Sequence, residues 1–418
     1  MSRYAILGGG GRQGTATAYY LARYFEARTI ILIDVTEHSD SPPIYRAQNA
    51  VSKLNVLLGE KSKTDISSFD LDSNNLYENG DLISTLKNSS DVLISALPSK
   101  MNMAGTFLAA NAGVHYIDFG FDEKTVRKQI KTFDQRFKIN GKAAIVNSGL
   151  EPGIINTIAV HEALLTKANT VKIYVGGNPC RPQNLFGYEK VFSGSMHEYS
   201  GSVGALENGE VVAKNSLDGL EAVSVYPASS GGGARYDFEA FYANTGFALT
   251  AEILKENGTI NAYAKTLRKV GHYKFARSMQ ELGLFSENPI KINGMAIRPI
   301  DFVSELFDTN TSECQDDMVA AKIVLENGLL YSITLINYKN VVSGFSAMQI
   351  VTAKPVAAMA NMLARGWIPP GCDLPERIFM KPHLYNELMA IIEAMGLNIK
   401  MGKKDKTASN IVNFFTKV

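Results

Sequence analysis

The apolar positions of this chain fall into short unbroken runs separated by stretches of helical period. Tyr4 to Leu7 is one such run, and Ala18, Leu21, Ala22 and Phe25 then share one face of a predicted helix from Gly14 to Ala27. The segment from Thr29 to Val35 is a second run. Pro42 to Leu58 reads as a helix, Lys63 to Phe69 as a short strand and Asn75 to Lys87 as a helix. Ser90 to Gly120 holds a buried strand, a proline-bearing loop, a helix and another buried strand; a helix rich in Lys and Arg follows, from Glu123 to Phe137. "AAIVNSGLEPG" supplies the sixth strand and its loop. Continuous apolar runs, without alternation, are the pattern of strands covered on both faces. Six of them separated by helices predict an α/β fold, a doubly wound parallel sheet in the order 3-2-1-4-5-6.

From about residue 171 the runs become β-rich and end at turn signals, with Asn-Gly pairs at 208–209 and 327–328 marking hairpins. This second region is predicted to be an α+β domain with a mixed or antiparallel sheet, interrupted by helices over Glu239 to Glu256 and Ile260 to Leu282. The chain closes with helices from Ala347 to Ala364 and Lys381 to Met395. The helices from about Ser346 onward are expected to return to the first domain, giving residues 1–122 and 345–418 as one domain and 123–344 as a substrate and dimerisation domain. "SSGGGARYD" (229–237) reads as a flexible loop near a site.

Four consecutive glycines, Gly8 to Gly11, sit between the first strand and the first helix. Such a run is costly in entropy, so it is kept where the chain turns sharply or lets a ligand touch the backbone. Gly9-x-Gly11-x-x-Gly14 is the spacing of a dinucleotide turn, with the helix N-terminus facing a diphosphate. Asp34 ends the second strand 20 residues after Gly14, where a ribose-binding carboxylate belongs. No Gly-Lys-Ser/Thr closes the turn, which excludes the mononucleotide phosphate loop. The predicted coenzyme contacts are Gly9, Gly11, Arg12, Gln13, Gly14 and Asp34, with Ala96, Leu97 and Pro98 after the fourth strand. NAD is expected over NADP, because Asp34 repels a 2′-phosphate while Val35 and Thr36 offer no cation.

Composition narrows the setting. With 418 residues, 45% apolar, and a net charge of +1, the chain has room for two domains and no field for nucleic acid or a membrane surface. Cys180, Cys314 and Cys372 form no Cys-x-x-Cys pair, and no histidine has ligand spacing, so neither metal nor disulfide framework is expected. The first strand begins at Tyr4, which leaves no room for a signal peptide; a cytoplasmic protein is expected.

In a doubly wound fold the reacting groups lie just past the strand ends. Candidates there are Ser99, Asp118, whose carboxylate could meet a substrate ammonium or cap a helix, and the loop from Gly149 through Glu151 to Gly153. Two histidines stand out by their neighbours, His197 beside Tyr199, and His272 with Arg277 nearby.

Several stretches resemble the saccharopine dehydrogenase-like family in the family's order, among them "GGGGRQG", "SALPSKMN", "HYIDFG", "NSGLEPGIINTIA", "FEAFYANTG" and "KTLRKVGHYKFARSMQELGLF". The chain looks most like the lysine 6-dehydrogenase branch. The resemblance implies an NAD(P) dehydrogenase acting on an amine-bearing carbon of an amino-acid substrate, a homodimer paired through the sheet-rich domain, and a substrate cleft lined by Pro98, Ser99, Asp118 and Gly149 to Gly153. Asn244 and Thr245, in the "YANTG" stretch, join the substrate residues on the same ground. Where saccharopine reductases carry an arginine for extra carboxylates, this sequence has His197 or a neighbour. Asp118 and His272 are the expected proton-transfer groups. Arg235, Arg277 and Lys190 are the available cations, and only Arg277 sits in a stretch typical of the family. One cation suits one carboxylate, so L-lysine is the expected substrate. Saccharopine or carboxynorspermidine is the alternative, and a silent NAD-binding sensor is a second.

Overall fold

The computed structural model describes residues 2–37, 44–60, 62–71, 76, 79–180, 196–226, 235–310, 316–327, 330–397 and 399–402. Lys190, Cys314, Gly328, the ends of two expected helices at 42–43 and 75, and most of the 229–237 loop lie outside them.

The apolar runs form parallel strands: β1 (Arg3–Leu7), β2 (Thr29–Glu37), β3 (Asp65–Leu71), β4 (Val92–Ser95), β5 (His115–Asp118) and β6 (Ala143–Ile145). β1 pairs with both β2 and β4, β2 with β3, and β4, β5 and β6 follow in turn, which is the order 3-2-1-4-5-6. Every residue of β4, β5 and β6 is buried, so both sheet faces are covered. A strand absent from the sequence reading, Gly371–Asp373, extends the parallel ladder beyond β6. A two-residue strand, Ile44–Tyr45, runs antiparallel to the end of β2.

This first unit comprises residues 1–157, 341–345 and 349–397. It reaches past the expected boundary at residue 122, because β6 continues the ladder of β5 through Tyr116↔Ala144 and Ile117↔Ile145. The returning chain is anchored on α1 (Arg12–Phe25): Gln349 Nε2 donates to the Arg12 carbonyl at 2.8 Å, and Phe345 packs edge-on against Tyr19 at 5.3 Å.

His115 opens β5 as a buried, neutral base. Burial, aided by nearby Lys142, pushes its pKa down from 6.5 to about 4, and its Nδ1 accepts the Ala143 N–H at 3.1 Å. Between those two values the unfolded chain binds the extra proton and the folded one does not. Stability is therefore full above pH 6.5 and falls as the pH drops toward 4, by up to about 3 kcal/mol. Urea unfolding across this window should show the loss, and His115→Gln should flatten it.

The second unit comprises residues 158–340, 346–348 and 398–418. Its sheet is mixed: Thr170–Pro179 runs parallel to Asn261–Lys269 on one side and antiparallel to Asp317–Glu326 on the other. Leu330–Tyr338 and the short Lys400–Gly402 extend that side, while Ser202–Glu207 and Glu210–Asn215 form the far hairpin. The hairpin turns at Asn208 and Gly209 with φ of 50° and 81°, the left-handed conformation that the pair predicts.

Two expected helices are corrected. Glu239 to Glu256 splits into a strand, Tyr236–Phe241, and a helix, Ala248–Glu256; Ile260 to Leu282 splits into the strand Asn261–Lys269 and a helix, His272–Glu281. Lys265, Arg268, Lys269 and Arg277 follow one another at intervals that imitate a helical polar face. In the sheet Lys265 and Arg268 are instead buried with partners. Among the described residues no helix is long and apolar enough to cross a membrane.

Candidate functional site

In the first unit the glycine turn joins β1 to α1. Gly8 has φ +70°, a Cβ on Gly9 would lie 2.8 Å from Leu32, and a Cβ on Gly14 would run into the Gly8 carbonyl oxygen. The turn is therefore pressed onto its own strand and helix, and Gly10 is pressed onto Arg46. Gly11 is the N-cap of α1 and supplies no side-chain cap; the first helical hydrogen bond is from Thr15 N–H to the Gly11 carbonyl. The amides of Arg12, Gln13 and Gly14 precede that bond and face outward at the positive end of the helix dipole. The uncapped amides fit a dinucleotide diphosphate; the buried Gln13 Oε1, an acceptor without a partner, calls for a donor instead.

β2 runs on to Glu37, so Asp34 lies within the strand and not at its expected end; beside this turn it accepts the Gly10 N–H at 2.9 Å and the Val35 N–H at 2.9 Å. On the other side of β1, Ala96 donates its N–H to the Leu7 carbonyl at 2.8 Å, and a Cβ on Gly8 would sit 2.8 Å from the Ala96 carbonyl oxygen. The loops after β1 and β4 thus lie side by side where the strand order reverses, bringing Gly9 to Gly14, Asp34 and Ala96 to Pro98 together. One cation at this edge escaped sequence reading: a Cβ on Gly10 would lie 2.7 Å from the Cβ of Arg46. Arg46 is twelve residues beyond Asp34 in the chain, outside the span where a coenzyme-selecting cation is sought.

Asp118 is fully buried. Its Oδ1 accepts the N–H groups of Gly120 and Asn147, each at 2.9 Å, and its Oδ2 accepts Gln129 Nε2 at 2.7 Å. Burial raises its pKa, opposed by these donors. Both oxygens are committed to protein donors, so the geometry is that of a strut tying β5, β6 and the helix Glu123–Ile139 together, not of an acceptor open to substrate. Ser99 is held nearby, its hydroxyl oxygen accepting the Phe121 N–H at 3.1 Å. The Gly149 to Gly153 loop closes on itself through a bridge between its two glycines, with Gly153 at φ +139° and Glu151 half-buried between them.

Asn147, at the carboxyl end of β6, was missed. It is 1% exposed, adopts φ +69°, and neither its Oδ1 nor its Nδ2 has a partner. An unpaired buried carboxamide costs about 1–3 kcal/mol for each group left without a hydrogen bond. The sequence signal was an Asn before Ser-Gly at a strand end, a residue type that tolerates the left-handed conformation.

In the second unit, Tyr199 and His272 are brought together. Both are buried, and Tyr199 Oη lies 3.1 Å from His272 Nε2. Arg268, 5% exposed, donates its Nε–H to the same Oη at 2.8 Å and approaches Glu198 at 3.6 Å. The phenol oxygen accepts from Arg268 and shares a proton with His272 Nε2, which donates or accepts according to its tautomer. Asn244 lies beside this chain, its N–H donating to the Glu198 carbonyl at 2.7 Å, with Thr245 next to it half-buried. His197 points elsewhere: its side chain is 44% exposed and 3.7 Å from Glu287. Arg277 is paired with Asp218 at 3.3 Å and Glu281 at 3.4 Å, and Arg235 with Asp237 at 2.6 Å. Among the described residues no cluster of metal-ligating side chains occurs.

Two family models match the chain, the saccharopine dehydrogenase NADP binding domain over residues 4–145 and the saccharopine dehydrogenase C-terminal domain over 149–397. Among solved structures, the apo histidine-tagged saccharopine dehydrogenase (L-Glu forming) from Saccharomyces cerevisiae is similar over 97% of this chain and 100% of its own, with TM-score 0.71 and 16% identity. The C. glutamicum DAP dehydrogenase in complex with DAP matches over 93% of this chain and 98% of its own, with TM-score 0.39 and 11% identity. The first shares the two-domain fold.

Proposed function

This chain belongs to the saccharopine dehydrogenase family, and from that premise we propose that it is an NAD-dependent oxidoreductase of the amine-bearing carbon of an amino acid, with L-lysine oxidised at its distal amine. The bound coenzyme would take up the hydride released from that carbon. The uncapped amides of α1 would hold its diphosphate, Asp34 would accept from its ribose hydroxyls, and the unpaired Asn147 carboxamide would meet its nicotinamide carboxamide. The carboxylate of Asp34 supports NAD over NADP, and Arg46 is the nearby cation that works against that preference.

Hydride leaves only when the substrate nitrogen has a free lone pair, so an ammonium of free pKa near ~10.4 must give up a proton first. Asp118 is poorly placed for this, its oxygens being held by Gly120, Asn147 and Gln129. We assign the proton to the Tyr199–His272 pair. Within that pair Tyr199 Oη shares a proton with His272 Nε2 across 3.1 Å, while Arg268 donates its Nε–H to the same oxygen.

The observation that carries the substrate reading is the state of the arginines. Arg277, Arg235 and Arg268 each already face a carboxylate of the protein. Burying the three carboxylates of saccharopine calls for several cations without such partners, whereas lysine has one carboxylate. Absorbance at 340 nm with L-lysine, L-ornithine, saccharopine and carboxynorspermidine, each with NAD and with NADP at alkaline pH, tests this. Turnover is expected with L-lysine and NAD. Turnover of saccharopine without lysine would overturn the substrate, and coenzyme binding without turnover across the panel would favour a sensor.

A further inference from the structure

We propose that the first unit carries a second small-molecule site, away from the coenzyme edge, that binds a free α-amino acid as its zwitterion. A cavity of about 220 Å³ opens where the last turn of α1 meets the end of the helix Ala347–Ala364 and the helix Pro382–Ala394. Tyr24, Phe25, Asn361, Arg365, Trp367 and Glu387 line it. The glycine turn lies at the opposite end of α1, and 14 residues of helix separate the two by about 20 Å. The cavity therefore belongs to neither the coenzyme edge nor the strand-end loops.

Its chemistry is specific. Arg365 and Glu387 bring one charge of each sign to the same cavity, and neither is in an ion pair with the other or with another described residue. Arg365 lies over the Trp367 ring at 5.1 Å, a cation–π contact. A guanidinium takes a carboxylate through two parallel hydrogen bonds. A carboxylate such as Glu387 takes an ammonium. Asn361, 4% exposed, adds a carboxamide at the wall, and the rings of Tyr24 and Phe25 leave an apolar surface for a side chain. The volume exceeds the ~150 Å³ that holds a benzene and falls below the ~300 Å³ where drug-sized pockets begin, which suits a single amino acid.

Trp367 is the one tryptophan of the chain, so intrinsic fluorescence reports on this cavity directly. The full-length protein would be titrated with L-lysine, L-leucine and L-phenylalanine, and with pentanoate and pentylamine, which each carry one of the two charges. A saturable fluorescence change with at least one amino acid is expected, with the one-charge compounds at least tenfold weaker. Arg365→Met and Glu387→Gln should each weaken binding tenfold or more in calorimetry and ligand-observed NMR, which do not depend on the tryptophan. NAD-dependent turnover in both variants should stay within twofold of the parent, separating this site from the proposed reaction. Absence of a saturable response by all three methods would overturn the proposal. So would equal binding of the one-charge compounds, or undiminished binding in the Arg365→Met, Glu387→Gln double variant.

Discussion

Asp118→Ala is expected to destabilise the first unit by about 3–5 kcal/mol, because it strands two buried backbone donors and strips a side-chain donor of one acceptor. The N–H groups of Gly120 and Asn147 would lose their acceptor, and Gln129 Nε2 would keep only Thr106 and the Asn102 carbonyl, inside a buried site. Asp118→Asn separates this structural role from a chemical one. The amide keeps an oxygen for the two backbone donors and turns its NH₂ toward Gln129, whose Oε1 has no partner in the parent protein. Turning the Gln129 carboxamide over would satisfy the new donor and give up the bonds of Nε2 to Thr106 and to the Asn102 carbonyl. The cost should be about 1–2 kcal/mol, with kcat within about tenfold of the parent. A general base replaced by an amide loses about 10²–10⁴-fold in rate with the fold intact. Urea unfolding and kcat on the same two variants decide between strut and base.

Gly14→Ala is expected to weaken NAD binding by about 10²-fold or more and to lower stability by about 1–3 kcal/mol. Its methyl group would run into the Gly8 carbonyl oxygen, which also accepts the Gly11 N–H at 3.0 Å. Relief requires the turn and the start of α1 to part, and that moves the amides that face the diphosphate. Gly11→Ala is the comparison for stability: its methyl would lie 3.1 Å from the same oxygen and its φ of −74° is ordinary for alanine, so it should cost less stability than Gly14→Ala. Unchanged NAD binding in Gly14→Ala would mean that the turn binds no coenzyme through its backbone. Calorimetry with NAD and thermal unfolding measure both quantities.

The parallel sheet was legible because its strands are buried on both faces, and an unbroken apolar run has little else to be. The glycine turn and Asp34 were legible for a related reason: spacing alone brings them to one edge once β1 and β2 pair. The strand Asn261–Lys269 was not legible. Lys265 and Arg268 are buried there against Glu221 and Tyr199, partners more than 40 residues away in the chain, so a charged pattern that suggests an exposed helix covers an interior strand. The same separation hid the site. Arg277 looked available because Asp218 is 59 residues distant, and Asp118 looked like a base because its Asn147 and Gln129 donors come from later elements. The Tyr199–His272 pair was within reach as two named residues, but their contact spans 73 residues and two elements that had been read otherwise.

The late strand Gly371–Asp373 has a bearing on how the chain is born. Its partner β6 ends at Ile145, more than two hundred residues earlier. On a ribosome making 5–20 residues per second, β6 waits roughly 10–45 s with a row of unpaired backbone donors and acceptors along its outer side. The nascent first unit therefore stands with an open edge while most of the second unit is being synthesised. A chain stopped short of residue 371 never covers that edge, and it is the truncated products, more than point variants of the surface, that cells would have to shield with chaperones or destroy.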